Sequence, residues 1–398
     1  MKKFAVLCAV LLLLVASTAF AAERFVNPEG APKAIEPYTH AVWAGDMLFL
    51  SGLIGLDPET NKVVEGGTLA EAAQIFKNMQ LILNSQDLGF EDVVKVKVFG
   101  TDIREFRYVN ALYVNYFSEP FPARAFVEAA ALPAGALIKL DVIAYRGETK
   151  FVNPETAPEP IGPYSHAVWA GDVLFLAGQI ALDETNTMVR DGTLAEAVQV
   201  FTNIATILHS QDLDFEDIVK VTVFGTDIRE FPYVNRLYIT YFDENFPARA
   251  FVEASALPAS ALIELDVIAY RGDLIFINPE TAPAPIGPYS HAVWAGDLLF
   301  LAGQIALDET NTMVRDGTMA EAKQVFRNIE IILHSQDMDF SDVVKVIVYG
   351  VDVEEFPEFN ELYATFFPEN PPARSSVQAT ALPAGARIEL DVIAYRAR

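Results

Sequence analysis

F-P-A-R-A-F-V-E-A-A-A-L-P-A-G-A-L-I-K-L-D-V-I-A-Y, residues 121–145, returns with few changes at 246–270 and again at 371–395. Arg124, Arg249 and Arg374 are each separated by 125 residues, so the chain is three copies of one unit. In an extended strand, side chains alternate between faces, which puts Arg124, Phe126 and Glu128 on one side and Ala125, Val127 and Ala129 on the other. The strand that follows places Ile138, Leu140, Val142 and Ala144 towards a core, with Leu137, Lys139, Asp141 and Tyr145 opposite. A hairpin through L-P-A-G is expected to bring each arginine close to the residue fifteen positions later. That residue is Lys139 in the first unit and Glu264 or Glu389 in the others.

The period divides the chain into a leader at 1–21 and units at 22–147, 148–272 and 273–398. The leader combines Lys2 and Lys3, an apolar run of about a dozen residues, and small residues at Ala19 and Ala21. It reads as a cleavable signal peptide, with export to the periplasm or beyond as the expectation; sequencing the amino terminus of the exported form tests this. Cys8, the one cysteine, would leave with it, which removes disulfide and thiol chemistry from the mature chain.

Within a unit, an extended, proline-punctuated segment leads into two strands joined at Ala44-Gly45-Asp46. Thr68 and Glu71 form a capping box for a helix whose stripe is Leu69, Ala72, Ala73, Phe76, Met79 and Leu83. A strand from Val93 to Gly100 comes next, then a second helix capped by Asp102 and Glu105, then the two strands of the opening stretch. The order β-β-α-β-α-β-β is an α+β unit: one sheet, helices on one face, and a second face that needs a partner.

P-A-R followed by a V-E or V-Q strand, L-P and I-E-L-D-V-I-A resembles the signature of the Rid family, also called YjgF, whose best-known members are reactive-intermediate deaminases. The likeness covers residues 25–398 and includes I-G-P-Y and A-G-Q-I in the second and third units. It implies chorismate-mutase-like units that trimerise sheet to sheet, with sites in the clefts between neighbours. Here the trimer would be intramolecular, a monomeric pseudo-trimer. It also implies that Arg124, Arg249 and Arg374 anchor a substrate carboxylate, and that Glu264 and Glu389 position or activate water. Tyr38, Tyr164 and Tyr289 then match a pocket tyrosine, and Gly52, Gly178 and Gly303 a glycine whose backbone approaches ligand. Where the family commonly has a small residue two positions beyond the arginine, this chain has Phe126, Phe251 and Ser376. On that comparison the third unit alone joins Arg374, Ser376 and Glu389, and is expected to be the most active.

The formal charge of −26 disfavours nucleic acid and anionic lipid, and with them the RNA cleavage attached to some family members. The five histidines have no metal-ligand spacing, and no nucleotide, dinucleotide or serine-hydrolase fingerprint occurs, so neither metal nor cofactor is expected. The leading expectation is hydrolysis of small imines or enamines of 2-amino acids to 2-oxo acids and ammonia. The alternative is a non-catalytic binder of small carboxylates or aromatics.

Overall fold

The computed structural model describes residues 24–242 and 244–398. The expected leader lies outside the described residues.

In the first unit, strands Phe25–Val26, Ala41–Ala44, Met47–Leu50, Ile138–Tyr145, Val93–Gly100 and Ala123–Glu128 lie side by side in that order. Helices Thr68–Asn84 and Phe106–Tyr113 cover one face. The extended leading segment contributes an edge strand in every unit: Phe25–Val26, Thr149–Val152 and Leu274–Ile277 pair with Ala41–Ala44, Ala167–Ala170 and Ala292–Ala295. The long helix buries Ala72, Ile75, Phe76, Met79, Ile82 and Leu83, whereas Leu69 points to solvent.

Two local expectations are corrected. Thr68 does not cap its helix: Gly67 is the N-cap, and Glu71 accepts a hydrogen bond from the backbone N–H of Leu137 at 2.8 Å instead. Glu196 and Glu321 do the same with Leu262 and Arg387, so this acid pins the helix to the start of the last strand. Asp102 caps the single 3-10 turn Ile103–Glu105 through the Arg104 N–H, and the helix begins only at Phe106.

The larger correction concerns the opening stretch. Its two strands do not form a hairpin, because Val93–Gly100 lies between them, parallel to Ala123–Glu128 and antiparallel to Ile138–Tyr145. Arg124 stands opposite Val96, and Val96 opposite Val142, so all three share the helix-covered face. Lys139 is three residues from Val142 and therefore projects from the other face. An arginine and the residue fifteen positions later cannot meet within one unit.

The second faces of the three sheets meet one another around a common axis, burying Phe49, Phe175 and Phe300 in one cluster and Phe99, Phe224 and Tyr349 in another. Strand ends link the units in a ring: Glu128 bridges Ala256, Glu253 bridges Ala381, and Gln378 bridges Ala131. Buried cross-unit ion pairs line the axis. Lys95 pairs with Asp266, Lys220 with Asp391 at 2.6 Å, and Lys345 with Asp141. Lys97 adds a second cation to Asp266 at 2.9 Å. Each of Lys95, Lys220 and Lys345 also donates to a backbone carbonyl of the next unit, so the desolvated ammonium groups are compensated.

Candidate functional site

The arginine strand runs along the outer edge of its sheet, and the next unit in the ring packs against it. Gly178 donates its N–H to the Arg124 carbonyl at 3.1 Å, Gly303 to that of Arg249 at 3.1 Å, and Gly52 to that of Arg374 at 2.9 Å. Each cleft therefore joins an arginine from one unit to a tyrosine, a glycine and the acid position of its neighbour.

In the first cleft the Arg124 guanidinium sits among the rings of Phe106, Tyr113 and Tyr164, with centroids 5.4, 5.0 and 5.6 Å away. Tyr164 is held in place by its hydroxyl, which accepts from the Ile161 N–H at 3.1 Å. Glu264 and Gly178 complete the wall of a small cavity of about 20 Å³. Phe126 lies edge-on to Phe106 with centroids 5.1 Å apart and closes the same cavity. Neither terminal nitrogen of Arg124 and neither carboxyl oxygen of Glu264 finds a hydrogen-bond partner among the described residues. Both side chains are almost wholly buried. Buried polar groups are normally satisfied, so a facing cation and acid left this way make this cavity the candidate site.

The second cleft repeats the first. Arg249 lies among Phe231, Tyr238 and Tyr289, faces Glu389, and donates through Nη2 to Asn235 Oδ1 at 2.7 Å. Tyr289 is anchored by the Ile286 N–H at 3.2 Å.

Burial raises the pKa of Glu264 to about 8; repulsion from Asp266 adds to this and Lys95 opposes it. Glu389 is raised to about 8 in the same way, by burial and Asp391 against Lys220 and Arg249. At neutral pH both are carboxylic acids, able to give a proton.

The third cleft differs. Arg374 faces Lys139 rather than Glu389, so the expected trio of Arg374, Ser376 and Glu389 is not assembled; Glu389 belongs with Arg249. Glu36 stands where the other units have Gly162 and Gly287, and its carboxylate accepts from Arg374 Nη2 at 3.4 Å. Ser376 Oγ accepts from Arg374 Nε at 3.0 Å and donates to Glu36 at 3.2 Å. Lys139 donates to the Ser376 carbonyl at 3.0 Å. Burial lowers the Lys139 pKa to about 8, against the pull of Glu36. Tyr38 is raised to about 12, by burial and by Glu36.

Glu36 was missed by sequence reasoning, although I-E-P-Y against I-G-P-Y carried the signal. A Cβ on Gly162 would stand 2.7 Å from Arg124 Nη2, which shows how closely this backbone position abuts the guanidinium. The aromatic lining from the short helices, Phe106 and Phe231, was missed too. His40, His166 and His291 lie outside the clefts, and each ring Nε2 donates to a proline carbonyl at 2.7 Å.

The chain matches the family described as Endoribonuclease L-PSP three times, over residues 28–146, 154–271 and 279–396. A RutC family protein of Pyrococcus horikoshii is 45% identical over 118 residues, 29% of this chain and 94% of its own. Human 2-iminobutanoate/2-iminopropanoate deaminase is 42% identical over 124 residues, 31% of this chain and 90% of its own. The crystal structure of RidA from an Antarctic Psychrobacter is 38% identical, covering 31% of this chain and 100% of its own with a TM-score of 0.30. With three tandem matches spanning most of its length, the chain belongs to the Rid (YjgF) family of Endoribonuclease L-PSP domains.

Proposed function

We propose that the first two clefts hydrolyse small 2-imino acids to 2-oxo acids and ammonia. The observation that carries this is the third cleft, where the equivalent arginine, Arg374, binds a carboxylate of the chain itself, Glu36. Where glycine replaces that glutamate, the guanidinium is left facing a protonatable acid, and a ligand carboxylate fits the position that Glu36 takes. The names of relatives such as the human deaminase support the same chemistry.

In this reading Arg124 or Arg249 fixes the substrate carboxylate, and the acid of Glu264 or Glu389 gives its proton to the imine nitrogen. Water then adds to the carbon and returns a proton to the carboxylate; the acid next protonates the amine of the carbinolamine, the C–N bond breaks to release ammonia, and the hydroxyl proton passes back to the carboxylate to leave the 2-oxo acid. Fixing the anion beside the acid supplies proximity and orientation, with the proton transfer adding general acid catalysis. The small cavity restricts substrates to short side chains. Imino acids generated in situ by an amino-acid oxidase should disappear faster with the protein than without it. Equal decay with and without protein would sink the hydrolytic reading and leave carboxylate binding.

The pH dependence follows from the acids. Glu264 and Glu389 hold their protons below about 8 and lose them above it, so kcat/KM should fall as pH rises through that value. A rate rising through the same range would show that the carboxylate, acting as a base, is the working form.

The ring is also proposed to be complete in one chain, since every sheet's second face is covered by the other two. Light scattering should give the mass of a single chain; an obligate trimer of chains would contradict this.

A further inference from the structure

We propose that the cleft between the third and first units has become the fastening that closes the ring. The first and second units, and the second and third, are joined by the chain itself; the third meets the first through non-covalent contacts alone. Five departures from the repeat converge on this seam. Glu36, Ser51 and Lys139 of the first unit replace Gly162 and Gly287, Ala177 and Ala302, and Glu264 and Glu389. Ser375 and Ser376 of the third replace Ala125 and Ala250, and Phe126 and Phe251.

Every one of them makes a bond across the seam. Glu36 takes Arg374 and Ser376. Ser51 Oγ accepts from the Arg374 N–H at 2.9 Å and donates to the Thr39 carbonyl at 2.6 Å. Lys139 donates to the Ser376 carbonyl, and Ser375 donates to Asp141. At the two tethered seams the matching positions are glycine, alanine, phenylalanine and an acid, and no side-chain network of this kind joins them among the described residues. Arg374 Nη1 apart, the members of this buried polar network satisfy one another, which rigidifies the surfaces it joins, and the untethered seam is where the ring would open first.

Glu36→Gly tests the proposal with a residue the other two units already carry at this position. Amide hydrogen exchange at Gly52 and Arg374, whose N–H groups bond across the seam, should accelerate by about tenfold or more through easier local opening. Exchange at Gly178 and Gly303, the matching amides of the tethered seams, should stay unchanged. Ser376→Ala, which keeps every charge, should act in the same direction. Unchanged exchange at Gly52 in both variants, or equal acceleration at Gly52, Gly178 and Gly303, would overturn the fastening. No substrate enters this readout, so it stands apart from the deaminase reading.

Discussion

The double variant Arg124→Ala/Arg249→Ala is expected to lose nearly all imine hydrolysis, whereas Arg374→Ala keeps it. Each of the first two arginines is buried and faces an acid across a unit boundary; among the described residues both terminal nitrogens of Arg124 and Nη1 of Arg249 lack partners, so a ligand carboxylate would meet a desolvated cation. Removing one side of such a pair costs roughly 2–5 kcal/mol, or a fall of about 30-fold to several thousand-fold in rate. Arg374 already gives Nε to Ser376 and Nη2 to Glu36, whose carboxylate takes the place of a ligand's, and its cleft offers Lys139 in place of an acid. The oxidase-coupled assay reads all three variants. Equal losses from Arg374→Ala and from the double variant would place the chemistry in the third cleft after all. This ordering reverses the ranking expected from sequence, because the acid of each cleft comes from the following unit.

The largest effect on stability is expected at Asp266. Its carboxylate holds both Lys95 and Lys97 at the axis, whereas Asp391 and Asp141 each pair with one axial lysine. Burial raises the cost of its charge, but the two lysines outweigh this and keep its pKa below the usual value. Asp266→Ala would strand two buried ammonium groups, and breaking a buried pair by removing one partner costs about 3–5 kcal/mol. Asp391→Ala strands one. Chemical denaturation should therefore rank Asp266→Ala below Asp391→Ala, with both below the parent. A parent-like midpoint for Asp266→Ala would mean that the axial pairs do not hold the ring together.

Much of this was legible in the chain. The 125-residue period, the strand and helix order and the need for a partner on the second sheet face follow from spacing and alternation, whereas the arginines and acids were singled out by the family resemblance. What failed was strand neighbourhood. The L-P-A-G link is short enough for a hairpin, and nothing in its length says that the chain turns instead into the 3-10 turn Pro133–Gly135 and crosses beyond Val93–Gly100. A clue lay in the charges: Lys97 stands directly opposite Asp141, a pairing that K-V-K and L-D-V could have suggested. Once those two strands are neighbours, parity alone puts Arg124 and Lys139 on opposite faces. The cross-unit site then follows, and so does the meaning of Glu36, which no inspection of a single unit could give.

The most direct test of the shared-cleft arrangement compares two double variants. Arg124→Ala/Glu264→Gln removes two residues of one cleft, whereas Arg124→Ala/Glu389→Gln removes one from each of the two clefts. If the clefts act independently, the first should keep about half of the parent's imine-hydrolysing rate and the second almost none. Equal activity in the two, or more in the second than in the first, would contradict the pairing of each arginine with the glutamate of the unit that follows it.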